Sequence, residues 1–115
     1  MKKTQFNLGR MYYFGEGVKQ DYAKALEWFQ KAAEQGYAGV QNNLGLMYDN
    51  GEGVKQDNAK AMEWYQKAAE QGYATAQNNL GSMYYNGQGV KVNYAKAAEW
   101  FQKAAQQCDE TAQKI

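Results

Sequence analysis

Apolar residues recur in this chain at helical spacing, and the recurrence itself repeats. Leu8, Met11 and Tyr12 stand at i, i+3 and i+4, the spacing that lines one face of an α-helix. The same trio returns as Leu44/Met47/Tyr48 and Leu80/Met83/Tyr84. A second segment, with Tyr22, Ala25, Leu26, Phe29, Ala32 and Ala33, forms a broader apolar stripe that Trp28 flanks. Its opposite face carries Lys24, Glu27, Lys31 and Glu34. Glu27 precedes Lys31 by four residues, as Glu63 precedes Lys67 and Glu99 precedes Lys103; this order predicts weak ion pairs on a solvated face. No segment alternates with period two, so no strand is predicted.

The period is 36 residues, marked by Leu8-Gly9, Leu44-Gly45 and Leu80-Gly81 and by Trp28, Trp64 and Trp100. Residues 8–39 and 44–75 match at 25 of 32 positions, and residues 44–75 and 80–111 at 20 of 32. A period of roughly 20–50 residues signals stacked supersecondary units rather than one closed core. The punctuation is that of a helix pair. Asp21, Asp57 and Asn93 precede the second helix, where a short oxygen-bearing side chain accepts from orphan N–H groups. Gly36 and Gly72 follow it. Between the two helices lies Gly-Glu-Gly-Val (15–18, 51–54) or Gly-Gln-Gly-Val (87–90), a tight reversal with a valine to tuck beneath it. Helices of about 12–15 residues are marginal alone in water. Each pair must therefore bury its stripe on the next, and three repeats stand near the lower limit for such an array.

Charge removes several function classes. The net charge is +1, with 13 basic residues interspersed among 12 acidic ones and Arg10 the only arginine. Nucleic-acid binding needs a clustered basic face, so it is not expected. No apolar run approaches about 18 residues, so no membrane insertion is expected. The two lysines at the N-terminus precede no hydrophobic stretch, so no signal peptide is read here. A soluble protein follows, cytoplasmic, or periplasmic or secreted if a signal has been removed. The single cysteine, Cys108, excludes an internal disulfide.

The strings Ala76-Gln77-Asn78-Asn79-Leu80-Gly81-Ser82-Met83-Tyr84-Tyr85-Asn86-Gly87-Gln88-Gly89-Val90 and Trp64-Tyr65-Gln66-Lys67-Ala68-Ala69-Glu70-Gln71-Gly72-Tyr73-Ala74 resemble Sel1-like repeats. The resemblance covers nearly the whole chain. It implies an all-α fold, a right-handed α/α solenoid of three helix-turn-helix repeats with six main helices, related to tetratricopeptide repeats. It also implies an adaptor or scaffold for protein complexes, of the kind found in bacterial envelope, host-interaction and signalling settings. The family usually has proline after Gly-x-Gly-Val, where this chain has Lys19, Lys55 and Lys91; a slightly looser turn is expected. The repeats are read as residues 4–39, 40–75 and 76–111 of a single domain spanning 1–115. Residues 112–115 form a tail or the start of a fourth repeat.

Differences between copies point to a binding face. Within the first helix, repeats one and two differ at Arg10/Leu46/Ser82, Tyr13/Asp49/Tyr85 and Phe14/Asn50/Asn86. By analogy with tetratricopeptide repeats, these positions point into a concave groove, joined by Phe6, Asn42 and Asn78. Arginine and tyrosine are enriched at binding hot spots, and asparagines hydrogen-bond an extended backbone. A protein or peptide partner is therefore expected. Phe6, Tyr13 and Phe14 also stand where a preceding repeat would pack, and open solenoid ends predict self-association.

Catalysis is not expected. Without histidine, the Ser/His and Cys/His nucleophile pairs and the commonest metal ligand are missing. Cys108 has no base to activate it. Most acids fall at caps, turns or polar helix faces, leaving Asp49 without a partner for acid–base work. The Gly-x-Gly turns follow no strand, so they are not phosphate loops. No cofactor or metal is expected. The resemblance leaves two alternatives: an envelope protein that binds or hydrolyses peptidoglycan or β-lactam-type ligands, and a spacer within a longer array.

Overall fold

The computed structural model describes residues 2–113, with side chains from residue 4 to 107. Six helices follow one another: α1 (Lys2–Phe14), α2 (Tyr22–Glu34), α3 (Ala38–Asn50), α4 (Asn58–Glu70), α5 (Ala74–Asn86) and α6 (Tyr94–Gln113). Turns join them, and no strand occurs among the described residues. Each helix packs mainly on its neighbours in chain order, so the molecule is an α/α solenoid of three helix pairs. Its radius of gyration is 14.9 Å, against about 13 Å for a compact domain of this length. No described helix is long and apolar enough to cross a membrane.

The local signals act as their chemistry requires. Asp21 and Asp57 sit in extended backbone and accept from the N–H groups of Lys24 and Lys60 at 3.1 Å. Asn93 accepts from the Lys96 N–H at 3.0 Å. Val54 and Val90 pack partly buried against the core beneath their turns. The core itself holds Phe29, Leu44, Met47, Tyr65, Leu80 and Met83 among small alanines. Two glycines per repeat set its geometry. At the middle of the first helix, a Cβ on Gly45 would stand 2.6 Å from the Tyr65 ring, so only glycine lets the paired helices approach this closely. In the turn, Gly53 has φ +75°, and a Cβ there would lie 2.5 Å from the backbone carbon of Tyr22 in the preceding repeat. Gly53 and Gly89, the second glycines of the turns in repeats two and three, are therefore inter-repeat contacts as well as turn residues.

A glutamine ladder fastens one repeat to the next. Gln41 donates through Nε2 to the Ala33 carbonyl at 3.1 Å and accepts from Gln71 Nε2 at 2.8 Å. Gln77 repeats the arrangement with the Ala69 carbonyl at 3.1 Å and Gln107 Nε2 at 3.0 Å. Gln41 and Gln77 are buried, where an unsatisfied amide would cost about 1–3 kcal/mol. They reach the last turn of the preceding helix, where the Ala33 and Ala69 carbonyls also accept from the Gly36 and Gly72 N–H groups at 2.9 and 3.0 Å, and so pin one repeat to the next.

The expected Glu–Lys pairs on the second helices do not form. Lys31, Lys67 and Lys103 instead lie over the rings of Trp28, Trp64 and Trp100, at 4.5, 4.4 and 4.4 Å from the centroid. Exposed ion pairs are worth little in water. The indole face offers comparable attraction and also shelters the lysine methylenes.

Candidate functional site

The first helices of repeats one and two bound an open cleft of about 450 Å³. From α1 come Phe6, Arg10, Tyr13 and Phe14; α3 supplies Asn43, Leu46 and Met47, and the ring of Phe29 forms part of the lining. A second cleft of about 400 Å³ shares Phe6 and Asn43 with the first and continues to Tyr37 and Tyr73. The two form one trough. Phe14 is 60% exposed and Leu46 is also exposed, so the trough offers apolar surface to solvent. Arg10 is exposed on its rim and makes no hydrogen bond or ion pair among the described residues. Such a surface fits a ligand with an apolar anchor and a negative group.

Phe6, Arg10, Tyr13, Phe14 and Leu46 are thus gathered in one place. Other expected groove residues take different positions. Asn42 is only 3% exposed and accepts from Asn79 Nδ2 at 3.0 Å, so it joins repeats instead of facing a ligand. Its neighbour Asn43 lines both clefts. The helix carries both asparagines, and a rotation of one residue decides which is turned inward. Asn78 lines a separate shallow cleft with Phe101 and Ala104. Tyr85 is 55% exposed and packs against Tyr94 at 5.1 Å between centroids, with the rings tilted by 56°. Asn50 and Asn86 are exposed at the last turns of α3 and α5, and Ser82 is half-buried. Cys108 and residues 112–115 belong to expectations outside the described side chains.

Two phenols act as locks. Tyr13 Oη donates to both carboxylate oxygens of Glu52, at 3.0 and 2.9 Å, across the first repeat junction. Burial, then the hydrogen bond and charge of Glu52, push its pKa up to about 12. Tyr65 is raised further by burial and by the charge and hydrogen bond of Asp49. Asp49 is therefore engaged with its own repeat, and does not stand as a lone acid in the groove. The signal was in the sequence as a correlated triplet: Tyr13/Tyr22/Phe29 and Tyr85/Tyr94/Phe101 share one pattern, and Asp49/Asn58/Tyr65 has another.

A repeat model described as Sel1 repeat matches residues 3–37, 38–73 and 74–107, nearly the whole chain. The chain belongs to the Sel1 repeat family. Among solved structures, a protective antigen of uropathogenic Escherichia coli displaying an SLR fold is 46% identical, with a TM-score of 0.90 over 92% of this chain and 23% of the other. A Sel1 repeat protein from Oxalobacter formigenes is 40% identical, with a TM-score of 0.88 over 91% of this chain and 43% of its own. Cysteine-rich protein B of Helicobacter pylori is 28% identical, with a TM-score of 0.74 over 91% of this chain and 86% of its own. This chain spans only about a quarter and somewhat under half of the first two. No curated protein matches it significantly. Sel1-repeat proteins are generally protein–protein interaction scaffolds, and the repeat is typically non-catalytic.

Within these Sel1 repeats, sequence comparison between copies misses three trough residues. Asn43 is identical in every copy, as Asn7 and Asn79, and Tyr37 matches Tyr73, changing only to Asp109 in repeat three. A search for variable positions passes over Asn43, and one confined to the first helix passes over Tyr37 and Tyr73.

Proposed function

We propose that this chain is an interaction module that holds a peptide or protein segment in the trough between α1 and α3. One observation carries the reading: four exposed or half-buried aromatic and aliphatic side chains, Phe6, Tyr13, Phe14 and Leu46, converge beside an unpaired arginine. The segment would insert an apolar side chain among Phe6, Phe14 and Leu46 and place a carboxylate against Arg10. Asn43 would hydrogen-bond its backbone, and Tyr37 and Tyr73 would flank its continuation. Aromatic and arginine anchors of this kind dominate binding energy at interfaces.

The test uses peptides selected from a random library against the chain, with affinities then measured by calorimetry. Arg10, Phe14 and Leu46 are exposed, so Arg10→Ala/Phe14→Ala/Leu46→Ala should stay folded by circular dichroism. Selected peptides should be rich in an apolar residue next to an acidic one or a free C-terminus. The triple variant should weaken them by at least about tenfold, the scale of one hot-spot contact. Equal binding by the variant would move recognition off this face.

A further inference from the structure

The two junctions between repeats treat equivalent asparagines differently. Between repeats two and three, Asn79 Nδ2 donates to Asn42 Oδ1 at 3.0 Å, and Asn42 is 3% exposed. The two positions are 37 residues apart. The same separation between repeats one and two joins position 6 to Asn43, and position 6 is phenylalanine. A phenylalanine ring has no oxygen to accept the bond. The half-buried Asn43 carboxamide makes no hydrogen bond among the described residues.

This unmatched pair stands at the middle of the trough. Phe6 and Asn43 are the two residues that line both of its clefts, of about 450 and 400 Å³. Phe6 packs partly buried against the core, its ring 5.9 Å from that of Phe29 and tilted by 38°. An asparagine at position 6 would reach Asn43 as Asn42 reaches Asn79, and the bonded amides would stand where the two clefts join. Phenylalanine in its place removes a strut between the walls and adds apolar surface to one of them.

We propose that this position of the repeat is a gate. Asparagine ties adjacent first helices together and shuts the groove between them, and phenylalanine holds it open for an apolar side chain. Phe6 is thereby the specificity-determining residue that confines recognition to the first junction, where Arg10 also supplies a positive charge. The gate rests on the peptide reading above and takes the same occupant, a segment whose apolar side chain adjoins a carboxylate.

Magnetic resonance on the isotope-labelled chain tests this, with N-acetyl-phenylalanine as the probe because it carries a ring beside a free carboxylate. In the wild type, the Asn43 side-chain amide protons should exchange with water faster than those of Asn79. In Phe6→Asn they should slow by about tenfold, the scale of one hydrogen bond. Phe6→Ala removes the ring without supplying an amide and should leave them fast. Asn42→Phe, the reverse exchange at the second junction, should free the Asn79 amide by a similar factor. The probe should shift the backbone signals of Arg10, Phe14 and Leu46 in the wild type and leave them unmoved in Phe6→Asn. Circular dichroism checks that each variant folds. Exchange rates unchanged in Phe6→Asn or in Asn42→Phe, or probe shifts that persist in Phe6→Asn, would overturn the gate and leave the peptide reading standing. A wild type whose trough signals ignore the probe would overturn the peptide reading, and with it the part that Phe6 plays in recognition.

Discussion

Repeats one and two carry the same side chains at many core positions but bury them differently. Leu44 is 0% exposed and Met47 1%, whereas Leu8 and Met11 are only half-buried. Gln41 satisfies both ends of its amide, and Gln5 leaves an oxygen unpartnered. Gly53 lies on backbone from the preceding repeat, and Gly17 faces open space on that side. Identical residues therefore contribute unequally. In an array, burial comes from having a neighbour on each side, and stability is close to a sum of repeat terms and junction terms.

The largest expected effect separates the two leucines. Leu44→Ala should cost about 2–5 kcal/mol, the range for deleting a buried leucine side chain. Leu8→Ala should cost clearly less, because part of its surface already meets water. Chemical denaturation of the two variants measures the gap, and equal losses would mean that repeat one has as full a core as repeat two.

The glutamine ladder gives the next contrast. Gln41→Ala removes a buried amide that donates to the Ala33 carbonyl and accepts from Gln71, and should cost about 0.5–1.5 kcal/mol for each hydrogen bond lost. Gln5→Ala removes a buried oxygen that has no partner, so the monomer should lose almost nothing. Thermal midpoints at low concentration decide this, and a large loss at Gln5 would reveal a contact to that side chain.

The tyrosine lock sharpens the comparison through pH. A pKa raised to about 12 in the fold means that the structure favours the neutral phenol of Tyr13. That contribution is whole below the ordinary phenol value near 10 and is lost as pH rises through about 12. Tyr13→Phe should cost about 1 kcal/mol at neutral pH and flatten part of the alkaline loss of stability. Tyr65, raised in the same direction, accounts for a remainder. Urea midpoints across the alkaline range test it; unchanged alkaline sensitivity would sink the assignment.

The smallest effect concerns the turns. Lys55 is exposed and its N–H donates no backbone hydrogen bond. Lys55→Pro should stabilise by about 0.4–1 kcal/mol by restricting the unfolded chain. A destabilised variant would show that the turn needs more freedom at residue 55 than a proline ring allows.

Much of the fold was legible in the residues. Helical spacing, the Asp and Asn caps and the period of 36 residues specify six helices stacked in pairs, because these signals act within a few residues of each other. The site was legible in part. Variation between copies found Phe6, Arg10, Tyr13, Phe14 and Leu46, which share the trough. The same rule placed Asn42 and Asp49 with them, although Asn42 joins repeats and Asp49 holds Tyr65.

The sequence by itself determined the repeat, its helix-pair pattern and the chemistry at each position. Only the tertiary structure decided which identical side chain is buried, which asparagine of a pair faces inward, and that lysines rest on indoles in preference to glutamates. The physical reason is range. Caps and helix periodicity are set by near neighbours in the chain, whereas burial and partner choice depend on surfaces about 30 to 40 residues apart in sequence, brought together only when one repeat packs on the next.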